Sequence, residues 1–449
     1  MHRPAALALL LAIPSLAAAG DDPVLARLQA QAIDHDPGLA QVRSIAAAEA
    51  ERVGPAGALA DPVLSLGIQN DGFQGIEIGR METSFWQVMI TQPLPWPGKL
   101  DLRTEVARLQ ARAARAAVDR DRLGVAASVA RAYVDLLLAR ERLALLDRRD
   151  ALWLQAEGSA RARYESGEGP QSDLLRAQLQ RLRLRQLRAA LAAAERTAVE
   201  ALDRLRGRPL DEPVETPASL EGWGAPPLLD EAAALADAAA RSPELAVARL
   251  AALRDVRAAD LARRERFPDL AVSAGVMPRG GPFPPMWLAG VSFTLPVFAR
   301  VKQDRAVAEG DARATAGAAG EQAIAELLRL RVRERREALG ALVEQIGIYD
   351  AGLLVQSEAT AASTLAQFRV GRVPFAALLE AIDGTIADHE GLLDALAAAR
   401  RIAIAGEEVS LEPTPGAGVA SPAAAGMGAA PQASGDSSPS GGAATSGSM

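Results

Sequence analysis

Tyr164-Glu165-Ser166-Gly167, followed by Leu174-Leu175-Arg176-Ala177, has an echo in Phe368-Arg369-Val370-Gly371, followed by Leu378-Leu379-Glu380-Ala381. In both places an aromatic residue closes a helical pattern, a glycine supplies the turn, and a Leu-Leu-x-Ala run begins the next helix. The echo extends outward. Asp36-Pro37 answers Ser242-Pro243, Asp61-Pro62 answers Phe267-Pro268, and Gln92-Pro93-Leu94 answers Leu295-Pro296-Val297. Partners lie roughly 203 to 206 residues apart, the mark of a duplicated unit. Each unit reads helix, strand, strand, very long helix, helix.

Alternation sets the strands. From Val63 to Gln69, Leu64, Leu66 and Ile68 fall on one side, with Ser65, Gly67 and Gln69 on the other. Residues 85–92 set Trp86, Val88 and Ile90 against Gln87, Met89 and Thr91, and Pro93, Pro95 and Pro97 stop the run. The second unit predicts strands at 270–276 and 286–295. From Lys99 to about Arg163 there is no proline and almost no glycine. That stretch predicts a helix of about 64 residues, about 96 Å long, and residues from Arg300 to about Gln367 predict a second. The shorter helices of each unit, laid end to end, match that length. The expected organisation is a leader at 1–19, a first repeat at 20–209, a connecting region at 210–228, a second repeat at 229–408, and a Gly/Ala/Ser/Pro tail at 409–449 without fixed structure.

Composition narrows the function. Hydrophobic residues are 49 % of the chain but aromatics only 4 %, so the apolar content is mainly Ala and Leu, which favour packed helices. A net charge of -7 argues against a nucleic-acid-binding surface. There is no Cys, hence no disulfide framework and no thiolate metal site. His35 and His389 are far apart, the Met residues are scattered, and no spacing fits a metal centre. No Ser/His/Asp arrangement, phosphate loop or nucleotide fingerprint is present, so neither catalysis nor a cofactor is expected.

His2 and Arg3, the apolar run Ala5–Ile13 and the small residues Ala17-Ala18-Ala19 form a secretory leader pattern, too short to span a bilayer. No Cys follows it, so lipid attachment to an N-terminal Cys is excluded. No later stretch approaches about eighteen consecutive apolar residues. A secreted chain of this kind can still cross a membrane as a closed barrel. The strands suit one: Leu64, Leu66, Trp86, Val88, Val291 and Phe293 lie on apolar faces opposite Ser, Thr, Gln and Gly, and Trp86 and Trp287 sit near strand ends. Four strands are too few for closure, since bacterial barrels have about eight or more. Several subunits are required. The other reading of the same pattern is two hairpins packed on a soluble helical core.

Together the duplicated order, Gln92-Pro93-Leu94-Pro95-Trp96-Pro97-Gly98-Lys99 and the paired Tyr/Phe-x-x-Gly…Leu-Leu-x-Ala motifs resemble the TolC family of outer-membrane efflux channels. The resemblance covers nearly all of the chain except the tail, and the Pro-Trp-Pro-Gly-Lys variant looks most like the branch serving heavy-metal efflux. It implies a mixed α and β homotrimer, with a twelve-stranded transmembrane barrel joined to a twelve-helix periplasmic tunnel. It also implies a periplasmic adaptor, an inner-membrane pump and outer-membrane lipid as partners, and passive passage of metal ions or small toxic compounds. The turns at Gly167 and Gly371 match the family's periplasmic tip, where the adaptor docks. Matching the Gly371 motif puts Glu380 at one acidic gate position. Ala377 stands at the other, a departure that shifts attention to Asp383. Asp173 matches a position that links neighbouring tip helices, with Arg372 or Arg369 as its partner. A periplasmic coiled-coil scaffold or adaptor is the alternative, although adaptors carry one hairpin among many strands rather than two strand pairs between helices.

Overall fold

The computed structural model describes residues 22–414, so the expected leader and the tail beyond 414 lie outside the described residues. The first repeat contains α1 (Pro23–His35), α2 (Pro37–Glu51), α3 (Val53–Gly57), β1 (Val63–Gln69), β2 (Phe85–Leu94), α4 (Lys99–Glu165) and α5 (Gln171–Leu205). A short α6 (Leu220–Trp223) lies in the connection. The second repeat contains α7 (Glu231–Arg241), α8 (Pro243–Arg264), β3 (Leu270–Met277), β4 (Met286–Phe293), α9 (Gln303–Ile348), a π-turn (Tyr349–Leu353), α10 (Leu354–Arg369) and α11 (Phe375–Glu407). The repeated Asp-Pro and Ser-Pro signatures are helix starts. Asp36 accepts a hydrogen bond from the Leu39 N–H and Ser242 from the Leu245 N–H, with Pro37 and Pro243 at the first helical position.

α4 has 67 residues and spans about 100 Å. Its neighbours are tied along its length by ion pairs. Arg103 reaches Glu265, the residue that caps the end of α8, at 2.9 Å near the top, Arg140 reaches Glu195 of α5 at 2.8 Å in the middle, and Arg181 of α5 reaches Asp150 at 3.0 Å below. α8 and α9 approach closely because Gly310 and Gly317 face Ala259 and Ala252. A Cβ at Gly310 would sit 2.9 Å from the Ala259 Cα. Gly310→Val is therefore expected to destabilise the fold by about 1–3 kcal/mol through overpacking. Gly320→Ala, with open space around it, serves as the control in thermal denaturation.

One apolar cluster fills the middle of the molecule, where Tyr133, Val134, Leu136 and Leu137 of α4 meet Leu392, Leu396 and Ile402 of α11, with Leu28 and Leu220 closing the ends. Buried Tyr133 donates to Asp22 at 2.6 Å, and Asp22 also caps α1. This belt joins the two repeats. A second cluster lies near the far end of α4 and is described below.

The strands differ from expectation at their ends, β2 running through Pro93 to Leu94 and β4 stopping at Phe293 rather than at 295, and two larger features depart from the sequence expectation. The second long helix starts at Gln303 rather than Arg300 and is offset at the π-turn, where Gly352 adopts φ 142°. α10 continues beyond it, held to α11 by Thr385, which donates to the Ser357 carbonyl at 2.8 Å. The kinked Gln303–Arg369 rod also contains an 18-residue window of mean hydropathy 1.4, long and apolar enough to cross a membrane by composition alone. Here it runs as one arm of a hairpin with α11. The second departure is at the C-terminus. The tail was expected to lose fixed structure from 409, yet Val409 and Ser410 are buried. Arg331 donates to the Leu411 carbonyl at 3.0 Å, Arg335 holds the Ser410 carbonyl, and Glu408 receives Arg131 at 2.7 Å. The guanidinium groups satisfy backbone carbonyls of a segment with no secondary structure of its own.

Candidate functional site

The four strands form one antiparallel sheet in the order β1-β2-β3-β4, leaving β1 and β4 as open edges. The register brings Leu66 opposite Val88, Val88 opposite Val276, Val276 opposite Trp287, and Val272 opposite Val291. Because side chains alternate with period two, these pairs share one face, together with Leu64, Ile68, Trp86, Ile90 and Phe293. That face is bare: Leu66 is 73 % exposed and Trp287 79 %. Trp86 and Trp287 both stand at the strand ends next to the connecting loops. The opposite face carries Ser65, Gln69, Gln87, Thr91, Ser273 and Ser292. An exposed apolar band of this size, with tryptophans at its ends, marks an interaction surface rather than an ordinary solvated one. The six strand residues singled out in the sequence all lie on it.

Between sheet and helices, Pro95-Trp96-Pro97-Gly98-Lys99 folds into a junction. Gly98 has φ 88°, which only glycine adopts freely, and turns the chain into α4. Lys99 is 1 % exposed. Its ammonium donates to Asp269 at 2.8 Å and to the Phe267 carbonyl at 2.9 Å, and pairs with Glu265 at 3.2 Å. Asp269 also accepts from the Trp96 N–H at 2.8 Å, and the Trp96 ring stacks on Phe267 at 5.5 Å. The start of the long helix in one repeat is thus tied to the strand entrance of the other.

At the far end lie the two tip turns. Gly167 and Gly371 have φ 79° and 75°. The sequence singled them out; it did not single out Arg163, which connects them. Arg163 donates to the Phe368 carbonyl at 3.1 Å and to the Glu168 carbonyl at 3.2 Å, and stacks on the Phe368 ring at 4.9 Å. Its charge binds both turns at once. Arg163→Ala is expected to free the tips, seen as faster proteolysis at 166–170 and 370–374, and Arg163→Lys should restore little because a point charge lacks the fork geometry. Behind the turns Trp153, Phe368, Phe375, Leu378 and Ile382 form the lower core.

Glu157 belongs to this end and was also missed. Burial alone raises its carboxyl pKa, but hydrogen bonds from Arg181 and Gln178 and the charges of Arg181 and Arg161 outweigh burial and hold it below the ordinary range. Arg181 bridges Glu157 and Asp150 at 3.0 Å each. A lowered folded pKa stabilises the fold fully above the ordinary carboxylate value of about 4 and loses that contribution as pH falls through the lowered value. Acidification below about pH 4 is expected to loosen the α4–α5 hairpin, and Glu157→Gln should blunt that response in hydrogen exchange.

The proposed gate residues are near this end but not gathered in one chain. Asp383 pairs with Arg149 at 3.0 Å. Glu380 is exposed, and among the described residues Glu380, Asp173 and Arg372 make no ion pair within the chain. No group of three or more His, Asp or Glu able to hold a metal lies among the described residues.

Residues 28–208, nearly the whole first repeat, match the sequence profile of the outer membrane efflux proteins. The first repeat is similar in sequence to that family. The second repeat continues the same architecture, and the whole chain shares the efflux-channel fold. The chain superposes on the outer-membrane channel OprN with a TM-score of 0.71 at 17 % identity, covering 87 % of this chain and 90 % of OprN. It superposes on CusC with a TM-score of 0.72 at 16 % identity, covering 86 % and 92 % of the two chains. The open-state MtrE outer membrane channel of Neisseria gonorrhoeae gives 0.69 at 20 % identity, covering 86 % and 89 %. No curated protein matches the chain by sequence. OprN and MtrE are both outer-membrane channels.

Proposed function

We propose that this protein is the outer-membrane exit duct of a tripartite efflux system, assembled as a homotrimer and fed by an inner-membrane pump through a periplasmic adaptor. One observation carries the reading: a four-stranded sheet with a bare apolar face and two open edges stands on helices about 100 Å long. A sheet too narrow to close alone closes by adding copies, and the helices continue the tube beyond the bilayer. The cargo is metal ions or small toxic compounds, passing through a water-filled lumen lined by the Ser, Thr and Gln face. The tip turns around Gly167 and Gly371 are the adaptor contacts. Glu380 faces the constriction as a ring of carboxylates, which selects for cations, and the nearby Asp383 is held by Arg149. Asp173 pairs with Arg372 of a neighbouring copy and helps to hold the tip closed.

The test is purification from outer membranes in detergent, light scattering, and single-channel recording in planar bilayers. A trimeric tube that conducts is expected; a soluble monomer that needs no detergent overturns the duct in favour of a periplasmic scaffold. Asp173→Ala is expected to raise the conductance of the closed channel. Each exposed pair contributes under about 1 kcal/mol, so the rise is severalfold rather than a full opening. Unchanged conductance removes Asp173 from the gate.

A further inference from the structure

Away from the strands and the tips, a cleft lies where the two repeats are joined. The connection after α6 runs past α7, α9 and the last turns of α11, and the four segments surround a cavity of about 220 Å³. Its walls are apolar: Leu228 and Leu229 from the connection, Val332 and Leu339 from α9, and Ile402 from α11. Leu228 and Leu229 stay exposed, so the mouth is apolar as well. An apolar cavity of roughly 150 Å³ is enough to hold benzene. This one has room for a ring with a short arm.

The charges around the cleft do not cancel in hydrogen bonds. Five charged residues border it: Asp237, Arg241, Arg335, Arg336 and Glu407. Arg241 pairs with Asp237 at 3.3 Å and donates to the Glu407 carbonyl at 3.0 Å. Arg336 pairs with Glu337 at 3.0 Å. Arg335 donates to the Ser410 and Glu412 carbonyls. The Nε atoms of Arg335 and Arg336 have no partner, but both are sealed within the protein and out of reach of a ligand. Glu407 is left over. Among the described residues its carboxylate accepts no hydrogen bond and makes no ion pair. Burial pushes its pKa up, and the charges of Arg241 and Arg400 offset this only in part. Arg400 is itself committed to the Trp223 and Gly224 carbonyls. A half-buried carboxylate among apolar walls, with no donor, is costly until a cation meets it.

We infer that this cleft binds a small apolar monocation, an ammonium group on an aromatic or aliphatic body of about ten heavy atoms. The ammonium donates to Glu407, and the body lies against Val332, Leu339 and Ile402. An anion finds no free donor there, and a neutral molecule of the same shape leaves the carboxylate unpaired. The site is separate from the polar strand face and does not depend on the duct reading.

Phenethylamine, 2-phenylethanol and 3-phenylpropionate share a body and differ in their head group. They are titrated calorimetrically into the full-length protein extracted in a nonionic detergent. The amine is expected to bind at least about tenfold more tightly than the alcohol, the scale of a charge-assisted hydrogen bond. The carboxylate should bind most weakly of the three. Glu407→Gln should bring the amine down to the level of the alcohol and leave the alcohol unchanged. Should that variant fold poorly, Glu407→Asp, which withdraws the charge by one methylene, should weaken the amine alone. Ala403→Leu puts bulk into the cleft and should abolish binding of both, which separates the cleft from partition into micelles. The amine should also bind more weakly as pH falls through the raised value of Glu407, because the carboxylate is neutralised while the ammonium keeps its proton. The alcohol should show no such dependence. Equal binding of amine and alcohol, or amine binding that survives Glu407→Gln, overturns the proposal. So does preferred binding of the carboxylate, or binding indifferent to Ala403→Leu. Binding of none of the three to the folded protein overturns it too, and would mean that a neighbouring copy or the chain beyond 414 fills the cleft.

Discussion

Lys99→Met is expected to destabilise the protein by about 2–4 kcal/mol and to cut sharply the amount that reaches the membrane in folded form. The ammonium is buried, donates to Asp269 and the Phe267 carbonyl, and pairs with Glu265. Removing it leaves a carbonyl and two carboxylates, each 37 % exposed, without their cation, and groups orphaned in this way cost more than their contact is worth when made. The loss is less than that of a fully buried pair, because Asp269 keeps the Trp96 N–H and Glu265 keeps Arg103. Lys99→Arg should not rescue it, since the pocket holds a compact ammonium on three converging acceptors rather than a planar fork. Acid response separates this account from simple loss of packing. Burial raises the Asp269 carboxyl, but the Lys99 and Trp96 hydrogen bonds and the Lys99 and Arg103 charges bring it below the ordinary range. Its contribution is complete above about pH 4 and lost as pH falls through the lowered value. In Lys99→Met that acid-labile contribution should shrink, while Lys99→Met with Asp269→Asn should recover part of the stability. Thermal unfolding of the extracted protein across pH reads both, and an unchanged midpoint for the single variant would sink the junction as a stabilising element.

Trp153→Ala is the second large effect, at about 3–5 kcal/mol. The indole is 0 % exposed, packs on Phe375 at 6.2 Å and sits in the lower core with Phe368 and Leu378. Its truncation leaves a cavity bounded by helices that cannot collapse independently, because Arg163 and the tip turns hold them. Trp153→Phe should cost far less, since the indole Nε1 has no hydrogen-bond partner to lose. The damage should be local. Hydrogen exchange is expected to accelerate in 146–165 and 365–386 while the Tyr133–Leu396 belt stays protected, because distant clusters of a long helical body open separately. Uniform acceleration over both regions would mean that the two clusters form one cooperative unit.

Much of this architecture was written locally. Leu64-Ser65-Leu66-Gly67-Ile68 has a period that belongs to a half-covered strand and to nothing else, and no distant residue is needed to read it. Asp36-Pro37 and Ser242-Pro243 specify helix starts by a cap and a fixed φ, both within three residues. Gly167 and Gly371 mark turns because the left-handed backbone there excludes side chains at low cost. Repetition of the whole set then supplied the order of elements, and with it the family likeness. The turn glycines and the apolar strand faces were legible for the same reason: at turns and on strands, short-range pattern and position coincide.

What the sequence hid depends on contacts between residues far apart along the chain. Lys99 reads as an ordinary charge at a helix start until Asp269, from the other repeat, folds over it. Arg163 reads as a solvated basic residue in the last turn of a helix, and becomes the tie between two tips only when Phe368 arrives beside Glu168. The offset at Gly352 leaves almost no trace in helix propensity, because a glycine among good helix formers is a weak signal. The packed stretch from Val409 to Glu412 looked like the start of the Pro/Gly tail because its partners, Arg331 and Arg335, lie on another helix. Sequence alone determined the elements and their duplication, since period, caps and turns are properties of neighbours. Tertiary structure alone decided which charges are buried, which turns are tied and that the stretch from Val409 packs on the helices, since each of those requires two distant segments to meet.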